Sequence, residues 1–245
     1  MVSLPYHDRR AAGAVLAGRL LHLAGHPGVV VLGLPRGGVP VAAAVAQALG
    51  APLDVFTVRK LGVPGHEEFA MGAIATGGTC VLDDATVRDL GITPAQIAAV
   101  RGTETRELGR RERLFRGDRP PLDVRGATVI LVDDGMATGA TMRAAVAALR
   151  SQHPLHVIVA VPVASDDALA AVQAVADAVI CPLTPTAFLA VGAWYDDFEQ
   201  TSDAEVRRLL EDAQAHLPED ARAGALAARR NADRSEEHTS ELQSH

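Results

Sequence analysis

Apolar and polar positions along the chain follow two periods. Short apolar runs bounded by turn formers, at 28–32, 53–58, 129–132, 155–161 and 178–181, read as strands, most of them buried on both faces. Longer stretches with helical spacing fall between them. These predict helices over 8–24, opening near Asp8, over 39–49, stopped by Gly50, and over 94–116, 142–150 and 166–176. A last helix is expected over 202–216, where Ser202 and Glu205 have the spacing of a capping box. Residues 72–75 and 79–82 flank Gly77-Gly78 as a hairpin signal, whereas 60–69, with Gly62, Pro64 and Gly65, read as a mobile loop. Alternating strands and helices imply an α/β fold with a mostly parallel central sheet and helices on both faces.

Composition narrows this picture. A chain of 245 residues can bury one full α/β core. The net charge of −7 disfavours nucleic acid as a partner. The two cysteines, Cys80 and Cys181, have no metal-ligand spacing and fit thiols in a reducing cytoplasm. No run reaches the roughly 18 apolar residues of a membrane span. Residues 234–245 resemble a translated sequencing-adapter oligonucleotide and are set apart from the fold. The expected division is a domain over 5–217, an extension over 218–233 and an extraneous tail over 234–245.

The chemistry concentrates after the 129–132 strand. There the chain reads Asp133-Asp134-Gly135-Met136-Ala137-Thr138-Gly139-Ala140-Thr141 and then enters a helix. Ligands of open parallel sheets sit at the carboxyl ends of the strands. A Gly/Thr turn entering a helix offers N–H groups and hydroxyls to an anion, and ionised acids accept hydrogen bonds from sugar hydroxyls. Asp and Gly also cap helices, so capping is the plainer alternative. Together these residues describe a sugar-phosphate site.

This run resembles the phosphoribosyl-diphosphate (PRPP) signature of type I phosphoribosyltransferases. Further similarity lies in Gly33-Leu34-Pro35-Arg36-Gly37-Gly38, in Val58-Arg59-Lys60-Leu61-Gly62 and in residues 190–198, which fit a bacterial branch described as predicted phosphoribosyltransferases. The resemblance implies that Asp133 and Asp134 lie under the ribose and that residues 135–141 hold the 5-phosphate. Arg36, Gly37 and Gly38 would form the pyrophosphate loop, with a non-proline cis peptide between Pro35 and Arg36. Arg59 and Lys60 would be further diphosphate ligands, with 60–69 as a lid over them.

Trp194, with Tyr195 and Phe198, would contribute to a small hood over the acceptor base; a core or dimer contact is the alternative. Ala137 stands where enzymes acting on 6-oxopurines carry an acid, so hypoxanthine and guanine are disfavoured acceptors. Mg²⁺ is the implied cofactor, with its protein ligands unassigned. The implied partners are PRPP and a small-molecule acceptor, and a homodimer is compatible. A PRPP- or nucleotide-sensing regulator is the second reading. It needs a basic stripe without acids along the arginine-rich stretch from Arg106 to Arg116, which at helical spacing reads as a salt-bridged, solvated face. Both readings require the acid pair to face the Arg36 turn across a gap sized for a doubly phosphorylated pentose.

Overall fold

A computed structural model describes residues 6–216. The expected extension and tail lie outside these residues. Five parallel strands form the central sheet in the order β2-β1-β6-β7-β8: β1 is Val29–Gly33, β2 Leu53–Val55, β6 Thr128–Val132, β7 His156–Ala160 and β8 Ala178–Ile180. The register places Val31 beside Ile130, and Ile130 beside Ile158. From β1 the chain crosses to β2 on one side; from β6 it crosses to β7 on the other. The carboxyl ends of β1 and β6 therefore flank the point where the winding reverses, the usual ligand crevice of such sheets.

Helices cover both faces, as the pattern predicts. Helices α1 (Arg9–Leu20), α2 (Gly38–Leu49) and α7 (Asp203–Ala215) bury Leu16, Val45 and Leu210 against Val31 and Ile130. On the other face α5 (Ala140–Arg150) and α6 (Asp166–Gln173) bury Met142, Leu149 and Val172 against Val129, Leu131 and Val159. The Ser202 hydroxyl caps α7 by accepting from the Glu205 N–H. A full reciprocal capping box occurs instead at Thr93 and Gln96, where α4 (Pro94–Arg116) begins.

The structure corrects the sequence reading between residues 53 and 90. The expected strand 53–58 divides: β2 ends at Val55, and Val58 opens β3 (Val58–Val63) in a separate antiparallel sheet. Residues 60–69 are hairpin, not mobile loop, because β3 pairs with β4 (His66–Ala75) around Pro64-Gly65. Gly65 supplies the positive φ this turn needs. Gly62 sits where the register slips, and a Cβ there would lie 2.8 Å from the Glu67 carbonyl oxygen. Its glycines thus serve a bulged hairpin. β5 (Cys80–Leu82) completes this sheet, and a short helix α3 (Asp84–Asp89), capped by Asp83, follows it. Arg59 and Lys60 consequently belong to a strand of this second sheet and not to a loop following β2.

One buried polar cluster ties α4 to the central sheet. Arg116 donates through Nε to Asp54 Oδ1 and through Nη2 to the Val55 carbonyl, at 2.7 Å each. Asp54 also accepts from the Leu122 N–H at 3.1 Å, and Glu112 supports Arg116 from one helical turn earlier.

Candidate active site

The acids after β6 sit where the sheet winding predicts, and both are half-buried. Asp133 Oδ1 accepts from the Asp134 N–H at 2.9 Å. Burial pushes the Asp133 carboxyl well above its usual pKa, and the neighbouring Asp134 charge adds to the rise. Asp134 is also pushed up by burial, against the opposing pull of Arg9.

The following turn is held from below. Met136 donates to the Val163 carbonyl and accepts from the Ser165 N–H, while the Ser165 hydroxyl donates to the Ala137 carbonyl at 2.7 Å. Gly135 is packed against Val191 and Val163. Gly139 adopts a left-handed conformation, φ +67°, immediately before α5. Ala137, Thr138, Ala140 and Thr141 face solvent, and Thr138 Oγ1 accepts from the Ala140 N–H. The first turn of a helix leaves backbone donors without intrahelical partners, so an anion can dock here.

The turn after β1 meets the acid pair directly. The peptide between Pro35 and Arg36 is cis, as the resemblance implies. A Cβ added at Gly38 would lie 2.7 Å from the Val132 carbonyl oxygen and 3.0 Å from Asp133 Oδ1. One added at Gly37 would overlap Asp134 Oδ2. Only glycines allow this seating. The expected gap between acids and turn is therefore absent: the two loops touch. Gly37→Ala is expected to push Asp134 off its seat. Overpacking of this kind costs about 1–3 kcal/mol of stability, read as a lowered thermal midpoint, with a larger proportional loss of ligand affinity.

Arg9 is the residue that the sequence reading misses. From the start of α1 its Nε donates to Asp134 Oδ2 at 2.8 Å and its Nη1 to the Glu199 carbonyl at 2.7 Å. Its guanidinium lies 3.9 Å from the centroid of the Phe198 ring. Tyr195 donates to the Asp134 carbonyl at 2.6 Å, and its ring packs on Tyr6 and Phe198. The aromatic cluster thus braces the acid loop from the side. Trp194 is half-buried in a small core with Tyr6, Val163 and Leu183, which is the core alternative to base stacking. No local sequence signal marks Arg9, because its partners are 125 and 190 positions away.

A cavity of about 270 Å³ opens beside Arg36. Leu34, Pro35, Phe56, Thr57 and Thr141 contribute to it, as do Arg110 and Arg111 of α4 and Asp203 of α7. Asp133 and Asp134 do not line it; they lie beyond Gly37-Gly38. Neither Arg59 nor Lys60 lines it: Arg59 is paired with Glu104, and Lys60 Nζ lies 3.6 Å from Glu68. Along α4, Glu107 pairs with Arg110 and Arg111, and Glu112 with Arg116. Acids therefore interrupt the arginine stripe that the regulator reading requires.

Comparison with known proteins follows the same lines. In the crystal structure of TT1426 from Thermus thermophilus, the matched chain is 43% identical and superposes with a TM-score of 0.77, covering 85% of this chain and 99% of that one. A provisionally named phosphoribosyl transferase of Mycobacterium tuberculosis H37Rv is 47% identical over 223 residues, which are 91% of this chain. The counterpart in strain CDC 1551 matches equally. The chain spans about half the length of these curated relatives, 49%. Residues 7–196 match the model of the phosphoribosyl transferase domain. Fold, loop geometry and similarity agree, and the chain belongs to the phosphoribosyl transferase domain family.

Proposed function

We propose that the protein transfers the 5-phosphoribosyl group of PRPP to a nitrogen nucleophile and releases pyrophosphate. The observation that carries this reading is the seating of Gly37 and Gly38 on Asp133 and Asp134, beside a Gly/Thr turn that opens α5. One crevice thus offers places for a leaving diphosphate, a pentose and a 5-phosphate. Asp133 accepts from a ribose hydroxyl, and Asp134 does so through the oxygen that Arg9 leaves unengaged. Residues 138–141 hold the 5-phosphate through hydroxyls and N–H groups. Arg36 and the N–H groups of Gly37 and Gly38 meet the diphosphate.

As the bond from C1 to the diphosphate loosens, positive charge develops on the sugar ring. The acids beneath it stabilise that charge, and the loops keep the partners in register. The electrons of the breaking bond leave with pyrophosphate, and the acceptor nitrogen closes on C1.

The donor set fits magnesium carried by the substrate. Among the described residues no group of three or more His, Cys, Asp or Glu side chains could hold a metal. Mg²⁺ commonly binds through one or two carboxylates together with phosphate oxygens. Asp133 and Asp134 would be the protein side of such a site, where the ion would neutralise charge on the leaving group. Ala137 offers no carboxylate to a purine proton, which favours acceptors other than 6-oxopurines. Among the described residues no helix is long and apolar enough to cross a membrane. Both cysteines are free thiols, in keeping with a cytoplasmic setting.

Pyrophosphate release measured with PRPP, Mg²⁺ and a panel of bases tests the reading. Release with one base, lost in Asp133→Asn plus Asp134→Asn, is the expected outcome. PRPP binding without turnover across the panel would favour the sensor instead.

A further inference from the structure

We infer that Arg110 and Arg111 of α4 bind the leaving diphosphate, in the place that the family resemblance gives to Arg59 and Lys60. This rests on the transfer reading above. The cavity beside Arg36 brings Arg36, Arg110 and Arg111 together from two elements far apart in the chain. Its position suggests the ligand: Leu34, Pro35 and Arg36 line it, so whatever enters lies against the proposed pyrophosphate loop, and Thr141 from the proposed phosphate turn lines it too. Its chemistry agrees. Three guanidinium groups stand against two carboxylates, Asp203 in the lining and Glu107 paired with Arg110 and Arg111, which leaves the site net positive. The aromatic side chains there, Phe56 and Phe115, are only 1% and 3% exposed, so no ring face is offered to a heterocycle. The net positive charge and the absence of an exposed ring suit a compact anion.

Glu107 prepares the two arginines. Arg110 donates to it through Nε and Nη2 at 2.8 and 2.9 Å, and Arg111 through Nε at 3.0 Å. These bonds hold the Glu107 carboxyl down to about 2, so it remains ionised at any working pH. They orient both guanidinium groups while leaving Nη1 of Arg110 and both Nη groups of Arg111 without a hydrogen bond to the described residues. Arg36, 3.6 Å from Asp203, completes the ring. Arg59 and Lys60, by contrast, do not line the cavity, and their side chains are turned to Glu104 and Glu68.

Calorimetric titration of the full chain with pyrophosphate and Mg²⁺, and separately with ribose 5-phosphate, tests the assignment. Arg110→Gln and Arg111→Gln are each expected to weaken diphosphate binding by about tenfold or more, the value of a lost charge-assisted contact. Ribose 5-phosphate, a probe of the 138–141 turn, should bind as it does to the unaltered protein. Arg106→Gln, one turn earlier on the same helix and outside the cavity, controls for lost charge and should change neither affinity. Wild-type-like diphosphate binding by both variants would overturn the assignment and leave the transfer reading standing. So would equal losses for both probes, since those report a structural role. A wild-type protein that binds neither diphosphate nor PRPP would overturn the transfer reading and this assignment with it.

Discussion

Asp133→Asn is expected to lower transfer activity by a factor on the order of 10²–10³ while making the unliganded protein more stable at neutral pH. Both effects follow from one geometry. Asparagine keeps the oxygen that accepts from the Asp134 N–H, so the loop stays seated. What disappears is a negative charge packed under Gly38 and beside a second acid, where burial has raised its pKa. The folded state therefore holds a proton at Asp133 that the unfolded chain has already released. Wild-type stability falls as pH climbs from the unfolded carboxylate value, about 3.9, through the raised native one, and stays lower above it. Asparagine does not titrate. The advantage of the variant should open across that window, remain full above it and close below it. Gains of this type are about 0.5–2 kcal/mol, or roughly 2–4 °C per kcal/mol for a chain of this size. Thermal melts of both proteins from pH 4 to pH 8 check the sign. A variant no more stable than wild type at neutral pH would show that the acid is not held against an electrostatic cost.

Loss of the Asp54–Arg116 pair should give the largest stability defect. Both side chains are nearly sealed from solvent, at 7% and 3% exposure. Removing one partner of such a pair costs about 3–5 kcal/mol because the other charge stays buried. Asp54→Ala is expected at the upper end, since it also strips partners from the Leu122 and Val55 N–H groups. Arg116→Ala should cost less, as Asp54 keeps those two bonds. The exposed Arg106 is the contrast: Arg106→Ala should stay within about 0.5 kcal/mol of wild type. Chemical denaturation with two probes measures all three. The defect also bears on the cavity, because Arg110 and Arg111 are carried on the helix that Arg116 anchors.

The parallel sheet and its helices were legible because their signals are local. Val129–Val132 is apolar on both faces, Gly50 stops α2 with φ +64°, and Ser202 caps α7. The acid pair, the Gly/Thr turn before α5 and the glycine pair were legible for the same reason, since each is a short contiguous run at a strand end. The β3–β4 hairpin was not, because Gly62, Pro64 and Gly65 mean both loop and bulged turn until pairing is known. The roles of the arginines were hidden for another reason. Glu107 with Arg110 and Arg111 has the spacing of an ordinary solvated helix face, and only the approach of α4 to the Arg36 turn makes it the wall of a cavity. Arg9 gave no sign, since its partner is fixed by tertiary contact alone.

Asp134 receives its side-chain partner from 125 residues upstream and its backbone partner from 61 residues downstream. On the ribosome, the sheet strands β1, β2 and β6 can pair well before Tyr195 emerges. The acid corner is thus completed late, after every strand of the sheet, with only α7 still to follow. A nascent chain halted short of Tyr195 would own every strand of the sheet and an unbraced acid loop, so ligand capture is expected to report that synthesis has passed this point, while compactness alone does not.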